Sequence, residues 1–312
     1  MDWQYIQVAV DLHSIFIFLN RLLVSAPNRS KPGCIVTFTS IRLLLAFAVL
    51  VVGMPQKVAL ALASDQAAQQ SSAAASRGYE IFSEVDRRNS DYGDLEVSLR
   101  MILRTASGKA TERALRIRQL EVEGDGDRVL VVFDTPANIR GTALLSHGHK
   151  TTPDDQWLYL PAIKRVKKIA SRNKSGPFLG SEFSFEDLRI PELEKFDYRY
   201  IRDDQYQGVP VFVVERVSKE EHSGYAQELH WLDQQEYRTV RVEYFNRRGE
   251  AVKLLEVSDY TLYEDRFWKP GRMYMQNLRS GRSTELLWQD YAFDAGLSAE
   301  RDLSVNSLRR AR

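Results

Sequence analysis

"LEVSLRMIL", Leu95 to Leu103, decides the fold. Leu95, Val97, Leu99, Met101 and Leu103 alternate with Glu96, Ser98 and Arg100. Side chains of an extended strand point to opposite faces in turn, so this period of two reads as a long strand with one apolar and one wet face. The apolar set is expected on the concave side of a sheet, with Arg100 and Arg104 outside.

The same rhythm continues outward. "RALRIRQLEVEG" and "DRVLVVFDTP" follow across the turn Gly124 to Asp127, then the shorter "GTALLSH", "DQWLYLP" and "RVKKIA". After an interruption from Ser175 to Glu194 come "KFDYRYIR", "VPVFVVERV", "GYAQELHWLD", "YRTVRVEYFN", "VKLLEVSDYTLY", "RMYMQNLRS" and "STELLWQDYAF". Turn chemistry at Gln207-Gly208, Asn246 to Gly249 and Pro270-Gly271 separates them. That is about a dozen strands at hairpin spacing without βα alternation, which predicts a mostly meandering antiparallel sheet. So many strands must curl or split. The fold class expected is mainly β: one strongly curved, unclosed sheet with a few helices packed in its concave face. "RGYEIFSEVDRRNS" supplies one helix, with Tyr79, Phe82 and Val85 on a common face. An outer-membrane barrel fits less well, because the Arg and Glu side chains on the apparent outer faces are costly in lipid.

The chain has 312 residues, is 44% hydrophobic and 27% charged, and carries a formal net charge of +1. Nothing in that balance makes a basic field for nucleic acid. Its single cysteine, Cys34, excludes a disulfide framework and a cysteine-rich zinc site. "IRLLLAFAVLVVGMPQKVALALAS" places Arg42 before an apolar run, Leu43 to Met54, and ends in Ala61-Leu62-Ala63. These are the three parts of a cleavable secretory signal, with Ala61 and Ala63 at the cleavage site. Export to the periplasm is the expectation. The alternative is inner-membrane anchoring by an uncleaved N-terminal segment. The residues preceding that run suggest a start called too early, with translation beginning near Val36, or else a first membrane helix. The expected organisation is therefore an extension and signal over residues 1–63, a flexible leader over 64–76, and one β-domain over 77–312.

Candidate chemistry is sparse. His147 and His149 flank Gly148, but no third ligand is placed beside them, so a polar turn is favoured over a metal site. His222 and His230 are isolated, and no Gly-x-Ser-x-Gly elbow is present. No catalytic residue, metal or other cofactor is expected, and the chain does not read as an enzyme. The basic ribbon Lys164, Arg165, Lys167 and Lys168 suits a charged sheet edge, or contact with anionic headgroups or an acidic partner. Phe178, Phe183 and Phe185 read either as a core plug or as a mobile lid with Gly176 and Gly180 as hinges.

The segment "WLYLPAIKRVKKIASRNKSGPFLGSEFSFEDL" resembles the LolA-like outer membrane lipoprotein-sorting family of exported bacterial proteins. The matching parts are Trp157 to Pro161, the basic run Lys164 to Lys168, Ser175 to Gly180, and Ser181 to Leu188. Trp231 to Glu250 adds the family's Trp-Leu-Asp and strand-turn-strand pattern. The resemblance covers about Gly78 to Asp294. It implies a β-half-barrel with a helical lid over a hydrophobic cavity, and a carrier of lipid or lipoprotein cargo. Cavity or lid residues on this reading are Leu95, Val97, Leu99, Met101, Trp157, Tyr159, Phe178, Phe183 and Phe185. The basic ribbon would meet headgroups or a partner. An accessory subunit of a resistance-nodulation-division (RND) type lipid exporter at the inner membrane, without cargo of its own, is the alternative. Oligomeric state is left open, with a monomer favoured.

Overall fold

The computed structural model describes the backbone of residues 56–310 and the side chains from Ser64 onward. The apolar run Leu43 to Met54 and Cys34 lie outside the described residues. The chain divides into two units, Met1–Ala63 and Ser64–Arg312.

A single α-helix, α1 (Gln56–Asn89), stands among the described residues. The expected flexible leader, Ser64 to Ser76, is helical instead. Ala and Gln are strong helix formers and no Gly or Pro interrupts the stretch, although its side chains are exposed apart from Ala74. Packing begins at Gly78, where an added Cβ would stand 2.7 Å from the Tyr200 backbone nitrogen. Ile81 and Phe82 are buried with Val85 beside them, whereas Tyr79 is 49% exposed. The apolar face is thus turned slightly from the one expected. The other helical elements among the described residues are short 3-10 turns, where a few helices were expected.

Fifteen strands follow. The first six are β1 (Asp94–Arg104), β2 (Ala110–Leu120), β3 (Arg128–Thr135), β4 (Ala143–His147), β5 (Asp155–Leu160) and β6 (Arg165–Lys168). Next are β7 (Phe196–Tyr206), β8 (Val209–Ser218), β9 (Gln227–Asp233), β10 (Thr239–Phe245) and β11 (Ala251–Ser258). The last are β12 (Thr261–Tyr263), β13 (Phe267–Lys269), β14 (Arg272–Asn277) and β15 (Ser283–Phe293). Thirteen of them form one antiparallel sheet in the order β6-β5-β4-β3-β2-β1-β15-β14-β11-β10-β9-β8-β7, while β12 and β13 pair as a separate hairpin. Two meanders are therefore joined through their first and last strands, β1 and β15.

The edges are β6 and β7, which are consecutive in the chain. Their connection, residues 169–195, has to run from one edge to the other. Beside the edges, β5 and β8 lie ten strand spacings apart in the sheet order, about 48 Å if the sheet were flat. Yet Asp154, just before β5, and Glu220, just past β8, both pair with Arg189 of that connection, and Lys195 bridges the same two carboxylates. The sheet must curl strongly to allow this, and β6 and β7 do not pair, so it stays open. This is the curved, unclosed sheet expected from the sequence.

The register puts Leu95, Val97, Leu99 and Met101 on the inner face, where one apolar cluster runs continuously from Leu158 of β5 to Val242 of β10. Part of the outer face is covered as well: Leu130, Val132, Ala143 and Leu145 pack under Leu303 and Leu308 of the C-terminal segment.

Candidate functional site

The inner face is filled at one end and hollow at the other. At the β1–β5 end, the connection between the edges folds into a small turn that drives Phe178 and Phe183 into the core, 0% and 4% exposed. Phe178 stands 5.6 Å from Phe133 and 5.5 Å from Phe185. Four elements fasten the turn. Arg113 and Arg282 donate to the carbonyls of Leu179 and Gly180, both at 2.9 Å. The Glu182 N–H donates to Thr284, and Gln156 donates to the Phe185 carbonyl. A loop held this way is a fixed plug.

At the other end lies a cavity of about 440 Å³. Its floor is Leu95 and Val97 of β1, Val242 and Tyr244 of β10, and Leu255 and Val257 of β11. Phe82 and Val85 of α1 close one side, and Ile190, Pro191 and Leu193 of the edge connection close another. Trp268 and Lys269 of the β12–β13 hairpin, with Tyr260 and Pro270 at its base, form a further wall. The hairpin turns through Glu264, Asp265 and Arg266, the first two at positive φ and the third donating its N–H to the Tyr263 carbonyl at 3.0 Å. Its neck is tight, since a Cβ on Gly271 would meet the Asp259 carbonyl oxygen at 2.7 Å. Gly271 donates its N–H to that oxygen at 2.9 Å.

The charges in this wall are mostly matched. Arg88 pairs with Glu84 and Glu236, Arg216 with Glu228, Arg238 with Asp233, and Arg266 with Asp91. Burial by itself would raise the Glu228 carboxyl, but Arg216 and His230 outweigh it and hold it at about 2. Burial and the Arg216 charge push His230 down to about 4, so its ring is neutral at neutral pH. Close to the cavity, burial and the neighbouring Asp127 raise Glu192 to about 7, while burial and Glu121 raise Asp127 to about 6. Among the described residues no three His, Cys, Asp or Glu side chains come together as a metal site. His147 Nε2 instead donates to the Leu303 carbonyl, and His149 faces Asp125.

Comparison with known proteins places this geometry. A family model described as an uncharacterized protein matches residues 125–310. No curated protein matches the chain. Among solved structures, an outer membrane lipoprotein-sorting protein domain from Vibrio parahaemolyticus is 44% identical. The alignment covers 76% of this chain and 100% of that one, with a TM-score of 0.74. The chain belongs to the outer membrane lipoprotein-sorting family. A DUF1329 family protein from Desulfovibrio piger is 24% identical over 75% of this chain and 99% of that one, with a TM-score of 0.72. A LolA superfamily protein from Nitrosomonas europaea shares the fold at 16% identity and a TM-score of 0.60, over 73% of this chain and 97% of that one.

The lipoprotein-sorting motifs quoted from the sequence turn out to serve the plug and the edge. In Ser181 to Leu188, Ser184 donates its N–H and its hydroxyl to Asp187, which also accepts from Tyr225. Glu186 accepts from Ser223 and the Gly224 N–H, tying the connection to the loop before β9. Of the residues expected in the cavity wall, Leu95 and Val97 line it. Leu99 and Met101 share their face but are buried under the plug end of the core. Phe178, Phe183 and Phe185 form the plug and none of them lines the cavity. Trp157 and Tyr159 point to the outer face, where they join the cluster under Leu303 and Leu308. Leu158, paired with Leu144, is the inward residue of that strand. Lys164, Arg165, Lys167 and Lys168 are exposed on or beside the edge strand β6 and none lines the cavity. Lys168 bonds Asp155 at 2.6 Å and lies over the Trp157 ring. The ribbon and the Phe turn therefore do not share a cavity rim. Ala61 and Ala63 fall on the backbone of α1.

Sequence reading missed the α1 side chains, the strap Ile190 to Leu193, and the hairpin. The hairpin's signal was present in Glu264-Asp265, a polar pair between two short aromatic runs.

Proposed function

We propose that the protein is a periplasmic, non-catalytic carrier that holds a lipid or the acyl group of a lipoprotein in the inner-face cavity. The observation that carries this reading is the hollow itself, walled largely by aromatic and aliphatic side chains, whereas the other half of the same face is packed by the Phe turn. Its volume falls within the range of sites that take one small ligand. Each methylene moved into it from water contributes about 0.8 kcal/mol, so an acyl chain binds without a metal or a reactive group. The signal-like segment before Ser64 and the 44% identical lipoprotein-sorting relative support export and a sorting role. Native mass spectrometry of the protein purified from cells that export it tests the proposal. Bound lipid is expected, along with uptake of a fluorescent fatty-chain probe after delipidation. Absence of both would favour the adaptor without cargo.

A further inference from the structure

Each arginine of the cavity wall has a carboxylate partner, but Lys269 has none. Its ammonium makes no hydrogen bond or ion pair among the described residues. It lies over the rings of Tyr92 and Phe267, 5.1 and 5.5 Å from their centroids. It sits on β13 among the residues that line the hollow, and it is partly exposed. Burial pushes it down to about 8 against the pull of Glu121. A cation in an apolar site is costly unless paired, and aromatic faces offset only part of that cost. A second group on the same wall lacks a partner: the indole N–H of Trp288 is buried with no acceptor. Its backbone N–H bonds the carbonyl of Gly271, two residues beyond Lys269. Buried donors without partners are rare.

We infer that the cargo is an anionic amphiphile, whose carboxylate or phosphate head is held inside the cavity by Lys269 while its chain fills the apolar floor. This rests on the carrier reading and adds the class of cargo. The basic edge at Lys164 to Lys168 has no part in it. A charge-assisted contact in a dry site is worth about ten- to a hundredfold in affinity.

The test compares a fluorescent long-chain fatty acid with the uncharged alcohol of the same chain and fluorophore, bound to the wild type and to Lys269→Met, which keeps the apolar stem. The wild type is expected to prefer the acid at least about tenfold. In Lys269→Met the preference for the acid over the alcohol should disappear. Equal acid binding by both proteins would overturn the inference, while binding of the alcohol would still support a carrier. If neither probe binds the wild type, both readings fall.

Should Lys269→Met fail to fold, the wild type decides by pH. The groups facing Lys269 are Glu121 and Tyr92, with Asp127 and Glu192 behind Tyr92. Asp127 and Glu192 titrate at about 6 and about 7, and burial and Asp127 hold Tyr92 far above its usual range. The acid preference should therefore decline as pH rises through and beyond the lysine's own value of about 8. A preference unchanged at alkaline pH would overturn the inference.

Discussion

The two ends of the inner face are built from the same alternation and come to opposite results. At the β1–β5 end, three phenylalanines on a turn bonded to four other elements pack into the core. At the β10–β14 end, α1 and the β12–β13 hairpin span the face without touching its floor everywhere, and a cavity of about 440 Å³ remains. Both coverings are apolar, so composition does not separate them. Attachment does. The plug hangs on hydrogen bonds to β2, β5 and β15 and to the turn before β15, whereas the hairpin's two strands pair only with each other, its turn is tied by Arg266 to the Ser90 carbonyl and Asp91, and it joins the chain at a tight neck. One end is stability, and the other is space that a ligand can use.

The comparison breaks most visibly if the plug is emptied. Phe178→Ala should cost about 3–5 kcal/mol, as for other buried phenylalanines cut to alanine, measured by denaturant unfolding. A loss under about 1 kcal/mol would mean that this end, too, is loosely filled.

A smaller effect sharpens the boundary between the ends. Glu192 lies on the strap that walls the cavity, and its raised value of about 7 means that the folded state favours its proton. The stability this contributes is full below the ordinary value of 4.5 and is lost as pH rises through about 7. Glu192→Gln, which cannot ionise, should be more stable than wild type at pH 8 by on the order of 1 kcal/mol after solvent screening. The advantage should vanish below about pH 4. A variant less stable than wild type at pH 8 would show that the carboxylate is instead held ionised.

Much of this was legible from one-sided alternation. β1 reads correctly because its outer face is polar from Asp94 to Arg100, and the turn at Gln207-Gly208 reads correctly because both residues take positive φ. The plug's residues could be found too, but not their role. Whether a Gly-flanked Phe turn moves depends on Arg113, Arg282 and Thr284, which are distant in sequence. Trp157 and Tyr159 were assigned to the wrong face for a related reason. "WLYL" is apolar on both faces because Leu303 and Leu308 cover the outside, and only the pairing of Leu158 with Leu144 fixes which side is inner. The hairpin was hidden because "VKLLEVSDYTLY" reads as one strand. The chain breaks it at Asp259, whose φ is 57°. The edge connection's span across the open sheet follows from topology, which no local pattern reveals.

The central claim is that the hollow end takes the cargo. Val85 on α1 lines the cavity and is only partly buried, so Val85→Trp can project into the empty space with little strain. Its unfolding free energy should stay within about 1 kcal/mol of wild type. Titration of this folded variant with a fluorescent fatty-chain probe is the most direct test. Binding is expected to fall at least about tenfold, as the ring occupies the volume the chain needs. Binding equal to wild type in a folded Val85→Trp protein would contradict the account.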